Sequence, residues 1–140
     1  MRTLLLVLAL GTVIPIQTAA DRLAGVWTAE FEGHTFVRLE LKSTNDTIGG
    51  TISVGDLQVD AQGAVRHATD ARNPTPIFDA KFHDATLTFA RMDGTDTDRF
   101  ELHLLEAGAA ELKFLLDDAT VQELAADGIP VPKPVRLAKR

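Results

Sequence analysis

The chain contains no cysteine. That absence rules out disulfides, thiolate metal sites and a cysteine nucleophile, so core packing alone must hold the fold. The material is present, since 45% of the 140 residues are hydrophobic. Basic runs are missing too. Lysine and arginine total 14 against 20 aspartates and glutamates, and only a loose tail of Lys133, Arg136, Lys139 and Arg140 gathers positive charge. Nucleic-acid binding needs a concentrated basic surface and is not expected. Ser43 and Ser53 are the only serines, and neither sits in a glycine-flanked elbow. The four histidines, His34, His67, His83 and His103, lack metal-ligand spacing. Asp93–Asp98 lacks the oxygen set and terminal glutamate of a calcium loop. Asp117-Asp118 reads as a turn and helix cap. Neither enzymatic activity nor a metal or cofactor is expected.

The one uncharged apolar run is Leu4 to Ile16, preceded by Arg2 and followed by Thr18-Ala19-Ala20 and the polar Asp21. A positive start, an apolar middle and small residues at the end make a secretory signal peptide. The run is shorter than the roughly 20 residues that span a bilayer. Residues 1–20 are therefore expected to be cleaved, leaving no membrane span, and residues 21–140 to form one secreted or periplasmic domain.

From Gly25 to Leu116 the dominant period is two, the signature of strands with one buried face. The sets are Trp27, Ala29, Phe31; Val37, Leu39, Leu41; Ile48, Gly50, Ile52, Val54; and a weaker Leu57, Val59, Ala61. After a gap come Phe78, Ala80, Phe82; Leu87, Phe89; Phe100, Leu102, Leu104; and Ala110, Leu112, Phe114, Leu116. Short turn signals such as Glu32-Gly33-His34, His83-Asp84 and Asp93-Gly94 separate them, and connectors of that length join antiparallel neighbours. The gap Gln62–Pro76 carries Pro74 and Pro76 and is expected to be a long loop. Asp118–Ala126 has helical spacing, Gly128 can stop it, and Val135 with Leu137 offers a last strand able to close the sheet against the first. The expected fold is all-β: an antiparallel up-and-down meander of about eight or nine strands forming a small barrel, with a short helix near the C-terminus.

No charged or hydroxyl residue stands in the inner phase. The interior is thus either a dry packed core or a cavity for something purely apolar. In the second case Trp27, Phe31, Leu39, Phe78, Phe89 and Phe100 would line it, with Arg91 at the mouth, either meeting a ligand carboxylate or capping the core with its stem. The long loop offers Arg66, His67, Asp70 and Arg72 as interaction residues. Phe36, Ile77, Met92, Leu105 and Leu115 fall in the outer phase and would mark a protein-partner surface if clustered. Two functions stay open: an apolar-ligand binder, or a filled barrel acting on an unknown protein partner through its loops and outer surface.

Gly25-x-Trp27 resembles the G-x-W opening of calycin-type barrels, the superfamily of lipocalins, fatty-acid-binding proteins, avidins and bacterial metalloprotease inhibitors. The wider pattern resembles small secreted bacterial β-barrel proteins that open L-x-G-x-W, here Leu23, Gly25 and Trp27, and continue as in Thr47–Ile52, Asp84–Phe89 and Pro134–Lys139. The resemblance implies a barrel with the tryptophan at its closed end. Trp27 is the only tryptophan, cysteine is absent, and no helical pair follows the first strand. The resemblance therefore carries a fold more than a particular ligand.

Overall fold

The computed structural model describes residues 19–45 and 47–140. The expected signal peptide lies almost wholly outside them. A short helix, α1 (Ala19–Leu23), precedes β1 (Gly25–Phe31), β2 (His34–Thr44) and β3 (Thr47–Val54), which form an antiparallel meander. A second run, β7 (Phe78–His83), β8 (Thr86–Asp93), β9 (Asp96–Leu104) and β10 (Ala109–Leu115), forms another. Helix α2 (Asp118–Ala126) follows, and β11 (Val135–Lys139) then inserts between β10 and β1. The last strand thus joins the two meanders, as the alternation of Val135 and Leu137 suggests.

Among the described residues the sheet has nine strands, and its two edges are β6 (Thr75–Pro76) and β7. These edges are consecutive in the chain, separated only by Ile77. Thr75 and Pro76 pair with Ile52 and Thr51 of β3, Ile77 N–H donates to Gly50 O at 3.0 Å, and Phe78 pairs with Ala90 of β8. One stretch of chain therefore serves both edges and brings the sheet to a nearly closed barrel. Pro76 has no N–H to give a second neighbour, and the stretch changes partner just past it, after Ile77.

Three expectations are corrected. Leu57 and Val59 are not a stave of the barrel: β4 (Leu57–Val59) pairs with β5 (Val65–Ala68) in a separate two-stranded sheet. Gln62–Pro76 contains the short β5 and β6 and is otherwise loop, as expected. Phe36 is not on the outside. The β1–β2 register slips between Ala29 and Glu30, so β2 carries an extra residue, and Phe36 and Val37 are 3% and 0% exposed. Phe78 is not inside. Its partner Ala90 is out of step with the inward Leu87 and Phe89, and a register shift between Phe78 and Lys81 re-phases the strand. Phe78 is 41% exposed, while Ala80 within the shift and Phe82 beyond it pack on the core.

Elsewhere the inner phase holds. Val37, Leu39, Ile52, Leu87, Leu102, Leu112 and Leu137 are 0% exposed, so no water-sized space touches them. The barrel interior around these side chains is a packed core. Phe89 stacks on Phe100 with ring centroids 5.3 Å apart, and Phe100 meets Phe114 edge-on at 5.7 Å. Such pairs add roughly 0.5–1.5 kcal/mol each beyond the burial of area.

Trp27 lies where α1 covers one end of the barrel. Its Nε1–H donates to Leu23 O at 2.8 Å, and Leu23 is itself fully buried. Lys139 Nζ sits 5.7 Å from the indole ring and donates to Arg22 O at 3.0 Å. Gly25 makes this possible: its φ is +133°, and a Cβ there would come within 2.7 Å of the Lys139 side chain. Trp27→Ala is expected to lower the unfolding free energy by about 3–5 kcal/mol, the usual result of emptying an aromatic core site. Urea denaturation followed by far-ultraviolet circular dichroism measures it.

At the seam, Asp79 takes a positive φ of 54° within the register shift and bonds Arg99 Nη1 at 3.2 Å and Lys81 Nζ at 3.6 Å. The Arg99 hydrogen bond, helped by the Lys81 charge, holds its carboxyl below the ordinary value of 3.8. A lowered folded-state pKa stabilises above the unfolded value, and that contribution is lost as pH falls through the folded value. Wild type should therefore exceed Asp79→Asn in urea midpoint at neutral pH, with the gap narrowing as pH falls below about 4. A gap independent of pH would show that the carboxylate charge is not what acts.

Candidate binding cleft at the open end of the barrel

The two ends of the barrel differ. At the α1 end the connectors are short, as between β7 and β8 or β9 and β10. At the other end the chain runs through 55–74 between β3 and β6, and through 116–134 between β10 and β11. Both long connectors leave and return at this one end, so both are free to fold over it.

The first connector is a braced hairpin. At its base Gly55 N–H donates to Phe36 O, Thr69 N–H to Asp56 O, and Ala71 N–H to Thr35 O, at 2.7–3.0 Å. Asp56 N–H donates to Thr69 Oγ1 at 2.8 Å. The β4–β5 turn is held by Asp60, whose Oδ1 accepts from Gln62 and Ala64 N–H at 2.9 and 3.0 Å. Beyond the turn, Lys133 N–H donates to Gly63 O at 2.9 Å. Gly63 has φ +85°, and a Cβ there would meet Val131 O at 2.4 Å. The second connector supplies that anchor. Asp117 caps α2, its Oδ1 accepting Thr120 N–H at 2.7 Å, and the Thr120 hydroxyl together with that amide holds the Asp117 carboxyl below its ordinary value. The helix ends near Gly128, with Ile129 N–H on Leu124 O at 2.8 Å, and Pro130, Pro132 and Pro134 keep the return path extended.

Between the hairpin, the end of β10 and α2 lies a cleft of about 940 Å³. Its apolar wall is Leu57, Val59, Phe114, Leu116, Leu124 and Ile129. Polar groups on it come from Gln58, Asp60, Arg66 and Thr120. A second cleft of about 590 Å³ shares Phe114, Leu116 and Thr120 and extends to Arg91, Asp98, Arg99 and Phe100. Volumes in this range suit small-molecule sites, which combine apolar walls with a few placed polar groups.

The expected site residues distribute unevenly around this geometry. Trp27 belongs to the closed end, and Leu39, Phe89 and Phe100 to the packed interior, with Phe100 reaching the smaller cleft. Phe31 packs on the core at the open end. Arg91 stands at that mouth, bonded to Asp98 Oδ2 at 3.1 Å and 5.6 Å above the Phe100 ring. The four loop residues do not converge. Arg66 lines the large cleft and His67 is exposed opposite Gln58, whereas Asp70, which bonds His34 Nδ1 at 3.2 Å, and Arg72 border one separate hollow with Asp56 and Asn73. Among the described residues no cluster of His, Asp and Glu is arranged to hold a metal. The outer-phase apolar residues are dispersed. Phe36 and Ile77 are buried, Leu115 borders the smaller cleft, and the exposed Met92 and Leu105 lie at opposite ends of the barrel.

Sequence reasoning missed Leu57, Val59, Leu116, Leu124 and Ile129 as wall residues. Their signal was apolar character in connectors flanked by glycine and proline, where no stave needs an inward face.

Comparison with protein-family models, with curated proteins and with solved structures returns no match. The class defined by the structure is an all-β, nearly closed antiparallel barrel with a short helix near its C-terminus.

Gly63→Ala forces a Cβ against Val131 O and should release the hairpin tip. The expected outcome in hydrogen exchange is loss of protection at the Lys133 amide, with the β8–β9 amides unchanged. Retained protection at Lys133 would mean that the hairpin is held by other contacts.

Proposed function

We propose that this is an exported, non-enzymatic barrel protein that binds a small apolar ligand in the cleft at its open end. The observation that carries the reading is the pairing of a packed interior with an apolar-walled cleft braced by two connectors. A filled barrel leaves no room along its axis, so binding belongs to the rim. Arg91 caps the core there, already matched to Asp98. Export rests on the signal-peptide pattern of residues 1–20. Kinship with calycin-type barrels is supported by Gly25-x-Trp27, whose tryptophan sits beneath α1 at the closed end. The alternative, a filled barrel working on a protein partner through its loops and outer surface, draws support from the packed interior but not from the outer apolar residues, which are buried or scattered.

The test uses an uncharged fluorescent probe, N-phenyl-1-naphthylamine, together with native mass spectrometry of protein purified from its own host. Probe binding should be saturable. Leu124→Gln should weaken it about tenfold, because a Leu-sized apolar contact is worth roughly 1.5 kcal/mol or more. Leu124 lies on α2, outside the barrel core, so the fold should survive. A bare polypeptide mass together with no saturable probe binding would overturn the reading.

A further inference from the structure

Helix α2 buries none of its nine residues fully. Thr120 and Leu124 are half-buried, the other seven are exposed, and these two are the helix residues that line the large cleft. Among the described residues no α2 side chain makes a hydrogen bond or ion pair to another element of secondary structure. The helix does not make up for this by its own strength. Isolated helices shorter than roughly 12–15 residues are marginal in water, and short helices draw their stability from a packed apolar face. Glu123 and the C-cap Asp127 place negative charge at the C-terminal end, with no basic residue in the last turn, against the helix dipole. The two ends are held unequally. The first turn is firm, with Thr120 N–H on Asp117 Oδ1 at 2.7 Å and Asp118 favourably placed in the dipole. The far end is tied back only through the chain, by Ile129 N–H on Leu124 O and then Lys133 N–H on Gly63 O.

We infer that α2 is a lid over the cleft, hinged at its Asp117-capped first turn, and that the ligand closes and orders it. This deepens the cleft-binding reading and rests on it. Phe114, Leu116 and Thr120 border both the large cleft and the smaller one, so the first turn of α2 stands between the two, at the end of β10. Lifting the C-terminal turn carries Leu124 away from the hairpin wall of Leu57 and Val59 and widens the entrance. Closing sets Leu124 on the bound apolar surface, which supplies the packed face that the helix lacks when the cleft is empty. Ligand contact thus offsets the cost of ordering the helix. The measured affinity is the intrinsic affinity reduced by the fraction of molecules whose lid is closed. The barrel takes no part in the movement, because its interior is packed and β11 is paired on both sides, with β10 and β1.

The test is amide hydrogen exchange of the full-length mature protein, with and without saturating N-phenyl-1-naphthylamine, alongside probe titration of two variants. In the free protein the amides of residues 122–126 should exchange more than about tenfold faster than those of β8 and β9. Bound probe should slow them about fivefold or more and leave β8 and β9 unchanged. Gln122 is exposed and lines neither cleft, so substitutions there act on the helix and not on the wall. Gln122→Gly should weaken probe binding about fivefold, the effect of one glycine inside a helix, while Gln122→Ala should bind at least as tightly as wild type. Unchanged β8–β9 protection in both variants checks that the barrel is intact. Residues 122–126 as protected as β8 and β9 in the free protein, exchange there that ignores bound probe, or equal binding by the glycine and alanine variants would each overturn the lid and leave the cleft reading standing. Absence of saturable probe binding overturns the cleft reading, and the coupling of α2 to a ligand with it.

Discussion

Barrel closure depends on a single stretch of backbone, Thr75–His83, whose two halves hydrogen-bond to opposite edges of the same sheet. An open antiparallel sheet leaves two rows of unpaired N–H and C=O groups, each a template for association with another chain. Here the stretch pairs first with β3 and then, past Pro76 and Ile77, with β8. The change of partner requires a local re-phasing, supplied by the register shift around Asp79. From that follow the outward Phe78 and the cluster of Asp79, Lys81 and Arg99 on the outer face.

The same closure dictates where the open end lies. Strand β3 ends, and β6 begins, at the end opposite α1, and the same holds for β10 and β11. Neither long connector has to cross the barrel, so each can spend its length on structure of its own. One becomes the β4–β5 hairpin and the other becomes α2 with the extended proline-rich return. The bond from Lys133 N–H to Gly63 O ties the two together. Helix α2 buries none of its residues fully, so its apolar Leu124 remains available to the cleft. With the interior filled by side chains, this rim is the region that combines an apolar wall with a defined backbone.

Much of the barrel was legible in the residue pattern. The inward sets on β1, β2, β3, β8, β9 and β10 were read correctly because a half-buried strand must alternate, and a slip of one residue would expose the whole set. Where the reading failed, the period was broken by something other than composition. Phe36 escaped because an extra residue in β2 puts two neighbours on the same side. Phe78 misled because the shift at Asp79 reverses the phase between it and Phe82. Leu57 and Val59 alternate like a stave yet pair with β5 outside the barrel, and nothing local separates a stave from a lid strand. The cleft was the least legible part, because its wall joins residues from Leu57 to Pro132 that share no period.

What could be known from residue order alone was the kind of surface each strand would have: one apolar face, free of charge, on an antiparallel meander begun by Gly25-x-Trp27 and completed by Val135 and Leu137. Alternation is a property of neighbouring residues, and the pleat converts it directly into burial. Whether that apolar face would enclose a cavity or fill itself was decided only by three-dimensional packing, because filling depends on which side chains meet across the barrel. The position of the cleft, and the fact that Arg66 borders it bonded to Gln58 while Arg91 is bonded to Asp98, were likewise decided there. Both depend on distances between connectors that lie far apart in the chain.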